Sequence, residues 1–217
     1  MQAPERPRSH LCDTPMEELA SSVTHALGII LSLGAWIWML SIAQGDLFRV
    51  VSASLFGGTL TLLYASSTLY HAISHPKWKA LFQVLDHACI YLLIAGSYTP
   101  LTLVALRGPW GWSLFGIVWF CALAGVLLKT LVAGKKDHWL STALYIAMGW
   151  LVVIAFGPLV RALPTAGLAW LIAGGVSYTF GVVFFAWNRL PFNHAIWHLF
   201  VLGGSVCHVL AAVYILR

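Results

Sequence analysis

Asn193-His194-Ala195-Ile196-Trp197-His198 sets two histidines four residues apart. On an α-helix, side chains so spaced lie about 40° apart and one turn above each other, so both rings can reach one metal ion. The pair opens an uncharged run that continues through Cys207-His208. In an apolar segment an imidazole is costly unless it is hydrogen bonded, paired or metal bound. A lone His-x-x-x-His occurs in packing as readily as in metal ligation, so the pair gains weight only from the residues that accompany it.

Three other stretches carry polar chemistry. Ser66-Ser67-Thr68-Leu69-Tyr70-His71 again spaces a hydroxyl and an imidazole at i and i+4, Ser67 and His71. Such a serine either orients a metal-binding histidine or simply bonds the carbonyl four residues back. Leu85-Asp86-His87 puts a carboxylate beside a long apolar run, as a helix N-cap or as a site residue. Glu17-Glu18 precede Ser22 and His25, with Glu18, Ser22 and His25 on adjoining parts of one face; a capped helix start and a polar strip facing a bundle interior both fit. His75 and His138 read as interfacial residues, and His208, ten residues beyond His198, as a hydrogen-bonded core histidine about 15 Å deeper.

The elements that must position these residues follow from composition. Of 217 residues, 60% are hydrophobic and 9% charged, against roughly a quarter charged in soluble domains. Charge-free runs cover 19–45, 50–76, 87–106, 108–128, 138–160, 162–188 and 190–216. A membrane-crossing helix needs about 20 residues. The expected architecture is therefore all-α, an integral membrane bundle of seven helices over about 19–43, 50–72, 83–105, 110–131, 138–160, 166–187 and 192–216, forming one domain over 16–217 after a flexible tail at 1–15. Gly96-Ser97-Tyr98-Thr99-Pro100 predicts a kink in helix three. Gly111, Gly116, Gly125, Gly174, Gly175 and Gly181 suggest close packing of helices four and six. Lys129 is read as snorkelling to the interface.

With the N-terminus cytoplasmic, inner segments hold Arg6, Arg8, Lys77, Lys79, Lys129, Lys135, Lys136 and Arg189, and outer ones hold Arg49, Arg107, Arg161 and Arg217. That asymmetry favours N-terminus in and C-terminus out. The net charge of +5 therefore reads as topology rather than nucleic-acid binding. Tryptophans at 78, 110, 112, 139 and 187 suit interfacial belts. The four cysteines show no Cys-x-x-Cys spacing, so neither a disulfide nor a thiolate metal site is expected.

Topology brings the pieces together. Helix two ends, and helices three and seven begin, on the same side, so His71, Asp86, His194 and His198 share one depth. Three imidazoles with a fourth position left open is a standard catalytic zinc arrangement.

Ser66-Ser67-Thr68-Leu69-Tyr70-His71, Leu85-Asp86, and His194-x-x-x-His198 followed by His208 resemble the hemolysin III family, bacterial members of the progestin and adiponectin receptor superfamily and distant relatives of alkaline ceramidases. The resemblance runs from Glu18 to the chain end. It implies a seven-helix protein of the bacterial inner membrane with a cytoplasmic N-terminus and Zn2+ near the cytoplasmic face. His71, His194 and His198 would be its ligands, Asp86 would stand beside the metal's water, and Ser67 would be the motif serine of helix two. Asp86 and Ser67 are thus the expected catalytic residues, and the partners are membrane lipids. The expected reaction is hydrolysis of a lipid amide or ester, the substrate entering between helices. A pore-forming haemolysin, and a signalling protein with structural zinc, are the competing classes.

Overall fold

The computed structural model describes Cys12, residues 14–131 and residues 138–217. Most of the expected tail at 1–15 and the segment Lys135-Lys136-Asp137 lie outside the described residues, as do the side chains of His138 and Trp139. Among the described residues there are helices and no strands: α1 (Pro15–Ile42), α2 (Leu47–Ala72), α3 (Pro76–Pro100), α4 (Pro109–Leu131), α5 (His138–Gly149), α6 (Phe156–Ala162), α7 (Thr165–Ala186) and α8 (Asn193–Leu216). A π-helical turn, Leu101–Ala105, prolongs α3, and a 3-10 turn, Leu151–Ala155, joins α5 to α6. The outcome is seven spans long and apolar enough to cross a membrane. Trp78, Trp110, Trp112 and Trp187 are exposed near helix ends, as belt residues should be.

The helix starts are encoded by local chemistry. Thr14 caps α1, its hydroxyl accepting the Glu17 N–H at 3.2 Å, while Glu17 Oε2 accepts the Thr14 N–H at 3.0 Å; this reciprocal box satisfies two otherwise orphaned donors. The other Glu17 oxygen accepts the Phe192 N–H at 2.9 Å, so one carboxylate ties the first turn of α1 to the start of α8. Asp46 caps α2 through the Phe48 and Arg49 N–H groups, at 2.8 and 3.1 Å.

Two elements differ from expectation. Helix α3 starts at Pro76, not near residue 83, because Pro76 occupies the first helical position, where its missing N–H costs nothing. Asp86 therefore sits well inside α3 and is not an N-cap. The fifth span, expected as one helix over 138–160, is broken between Gly149 and Phe156. Pro158 lies four residues beyond Ile154, where its ring excludes a regular helical turn. The Tyr98 hydroxyl occupies the gap: it accepts the Val152 N–H at 2.8 Å and donates to the Gly149 carbonyl at 2.8 Å.

The innermost span is α3 with its π turn, whose apolar window is 67% buried against 11% for α7. Aromatic rings pack where glycines leave room, Tyr91 on Gly125 and Trp197 with Phe200 on Gly181. Gly116, expected to do the same, faces no neighbour within 4 Å. Mid-bundle, Tyr64 of α2 donates to Ser205 Oγ at 2.8 Å, and the Tyr178 hydroxyl of α7 lies 2.8 Å from the same oxygen.

Candidate metal centre

His71 stands on the last turn of α2, and His194 and His198 on the first two turns of α8. One ligand nitrogen from each lies within 4.8 Å of the other two. His198 Nε2 is 3.0 Å from His194 Nε2. Two nitrogens on a tetrahedral ion with Zn–N bonds of about 2.0–2.1 Å would be about 3.3 Å apart. All three residues are buried.

Outer contacts decide which nitrogen of each ring is available. His71 Nδ1 is 2.6 Å from Glu18 Oε2, a donor–carboxylate pair that leaves the Nε2 lone pair bare. His71 Nε2 is buried with no protein partner. His198 Nδ1 donates to the Ser21 carbonyl at 3.1 Å and has Thr24 Oγ1 at 3.3 Å, so its Nε2 also presents a lone pair. That lone pair faces His194 Nε2 at 3.0 Å, accepting its N–H when His194 is protonated there and sharing a cation with it when His194 carries its proton on Nδ1. The residues thus fit a divalent ion by donor type, tautomer and spacing.

Asp86 is buried beside the Ser67 side chain and the His71 ring. It lines an apolar cavity of about 140 Å³ together with His194 and His198. Ser67 Oγ is buried next to the Asp86 carboxylate and bonds no backbone carbonyl, whereas Ser66 makes the commonplace bond, to the Leu63 carbonyl at 2.9 Å. From Asp86 the cavity runs past Ile90, Ile94 and Val201 to His208. There it meets a second apolar chamber of about 200 Å³, with Tyr98, Trp150, Gly175 and His208 common to both walls. His208, expected to be a hydrogen-bonded core residue, does bond the Leu171 backbone, while its Nε2 has no partner and its ring packs on Gly174.

Other residues of the site escaped the sequence reading or took a different role. Helix α1 provides none of the three converging nitrogens yet holds His71 through Glu18 and His198 through Ser21 and Thr24. His25 stacks on His198 with centroids 3.5 Å apart and planes 7° apart, and neither of its nitrogens has a partner; it is not the satisfied histidine of a plain helix start. The Glu18–Ser22–His25 spacing did signal this strip, but Ser22 bonds the Thr68 carbonyl at 3.3 Å and Ser21 is the residue facing the site. Lys79, counted as a loop charge, is buried and pairs with Glu18 at 3.0 Å. Lys129, read as snorkelling, is buried and lines the cavity. Cys12 places its sulfur 4.0 Å from His71 Nδ1 and 3.7 Å from Ser21 Oγ, so Cys12, Glu18 and His71 form a second group of potential donors on the far side of that ring. His75 is exposed, as an interfacial residue should be.

Residues 14–209 match the family described as Haemolysin-III related. The chain is 49% identical over 191 residues to Hemolysin-3 of Bacillus cereus, covering 87% of each chain. It is 45% identical over 194 residues to the Hemolysin-3 homolog of Bacillus subtilis, covering 88% of this chain and 91% of that one. It is also 32% identical over 209 residues to the human monocyte to macrophage differentiation factor, covering 91% of this chain and 84% of the relative. With this match across nearly its whole length, and with seven spans of membrane-crossing length and apolarity, the chain is an integral membrane protein belonging to the Haemolysin-III related family.

Proposed function

We propose that this protein is a zinc-dependent hydrolase of a lipid amide or ester, seated in the bacterial inner membrane with its N-terminus cytoplasmic. The observation that carries the reading is the convergence of His71, His194 and His198, of which His194 and His198 line an apolar cavity together with Asp86. Bound there, a divalent ion would supply Lewis acidity, polarising a carbonyl and lowering the pKa of water.

The chain's own residues would do the rest. The apolar walls hold the hydrocarbon chain and exclude bulk water from the carbonyl carbon. Asp86 takes a proton from the attacking water and delivers it to the leaving nitrogen or oxygen as the acyl bond breaks, giving a carboxylic acid and an amine or alcohol. Ser67, whose hydroxyl is otherwise unengaged, donates a hydrogen bond that keeps Asp86 in place. The excess of lysine and arginine at the ends of the bundle nearest the histidines supports a cytoplasmic position for the site.

The test begins with metal content of the detergent-purified protein, wild type against His198→Ala. Near-stoichiometric zinc, lost in the variant, is expected. Lipid amides and esters are then screened for turnover, which Asp86→Asn should abolish while retaining zinc. A well-folded wild type that takes up no zinc when supplied would refute the reading. Release of a soluble dye from liposomes, insensitive to chelation and without lipid turnover, would refute it in favour of a pore.

A further inference from the structure

His71 is the ligand candidate whose own helix does least to hold it. It lies on the last turn of α2, two residues before the chain leaves the helix at Ile73, with φ −84° and ψ 129°. Helix ends fray and leave carbonyls without intrahelical donors. The structure supplies two side chains from other helices at this point.

The Glu18 carboxylate of α1 uses one oxygen on His71 Nδ1 at 2.6 Å and the other on Lys79 Nζ at 3.0 Å. Lys79, on the first turn of α3, also donates to the Tyr70 carbonyl at 2.9 Å, with the Ile73 carbonyl at 3.5 Å, and its ammonium lies 4.9 Å from the centre of the Tyr70 ring. Lys79 therefore caps the end of α2 and supplies a counter-charge to the partly buried Glu18 carboxylate. A surface acid placed only to suit a helix dipole would use neither oxygen across helices.

We propose that Glu18 and Lys79 are a positioning pair for the metal centre. Glu18 fixes the tautomer and ring direction of His71, and Lys79 holds Glu18 and the frayed end of α2 in register. The proposal rests on the metal reading given above, and it assigns the pair no contact with substrate. Orienting partners of this kind change metal affinity by about 10–100-fold when removed.

The experiment measures zinc affinity of the full chain in detergent by competition with a chromophoric chelator, together with the absorption spectrum of the cobalt-substituted protein. Glu18→Ala is expected to weaken zinc about 10–100-fold and to alter the cobalt spectrum, with helix content unchanged. Glu18→Gln, which keeps an acceptor for the Nδ1–H, should recover most of the affinity. Ser22→Ala, on the same helix but bonded elsewhere, should match wild type. Unchanged affinity and spectrum in Glu18→Ala would overturn the proposal. Should that variant fail to fold, Lys79→Met decides by the same two readouts, a weaker affinity supporting the pair and wild-type values overturning it. Zinc binding by wild type separates this failure from that of the metal site itself, which would show as no uptake in any variant.

Discussion

Replacing His25 by Phe tests whether its ring is a liability that the fold tolerates. The imidazole is 3% exposed, stacked on His198 at 3.5 Å and set edge-on to Tyr64 at 5.0 Å, and neither nitrogen has a protein partner. An unsatisfied buried polar group costs about 1–3 kcal/mol. The lower end applies in membranes, where hydrogen bonds are worth on average about 0.6 kcal/mol because the unfolded reference also finds partners. Two nitrogens at about 1 kcal/mol each give about 2 kcal/mol to be recovered. The bulkier phenyl ring returns about 1 kcal/mol of this as overpacking. The net gain of about 1 kcal/mol corresponds to about 2–4 °C in Tm for a chain of this size. The assay is thermal denaturation in detergent with zinc content measured in parallel. A lower Tm at unchanged zinc would refute the reasoning, because the nitrogens would then be making bonds that stabilise the fold.

Ser205→Ala should cost about 2 kcal/mol or more by stranding the Tyr64 and Tyr178 hydroxyls, whereas the triple variant with Tyr64→Phe and Tyr178→Phe should be nearer wild type; equilibrium unfolding of the set checks the non-additivity. Tyr98→Phe should destabilise by about 2 kcal/mol, since the Val152 N–H and Gly149 carbonyl lose their partner where the fifth span is broken. Hydrogen exchange of that segment should rise while zinc content stays at the wild-type level.

The spans were legible because charge in so apolar a chain is confined to helix ends or to paired positions, and runs between charges measure membrane thickness. His71, His194 and His198 were legible for a related reason: spacing and topology together place them at one end of the bundle, and the structure brings their nitrogens together. What escaped depends on direction rather than spacing. Ser21 and Ser22 are neighbours in sequence, and only the rotation of α1 against α8 decides which one faces His198. Lys79 reads as a loop charge until Pro76 is recognised as a helix start, which moves the lysine onto α3 and against Glu18. The same shift changes Asp86 from a terminal cap to an interior residue. The break in the fifth span had a signal, Pro158 with Gly149 and Gly157 close by, but the hydroxyl that makes it tolerable comes from another helix. Cys12 gave no signal, because nothing in its spacing from other polar residues places it beside His71.

The broken fifth span divides the cavity mechanically. One jaw, built from α1, α2 and α8, is cross-braced by Glu18 and Thr24 of α1, whose side chains end on His71 and His198. The opposite jaw includes Gly149 and Trp150, at a joint where backbone groups answer to a single tyrosine hydroxyl. At this joint the regular helical ladder is interrupted, between Gly149 and Phe156. His194 and His198 thus stand on one wall of the cavity, while Gly149 and Trp150, where the fifth span begins to break, stand on another.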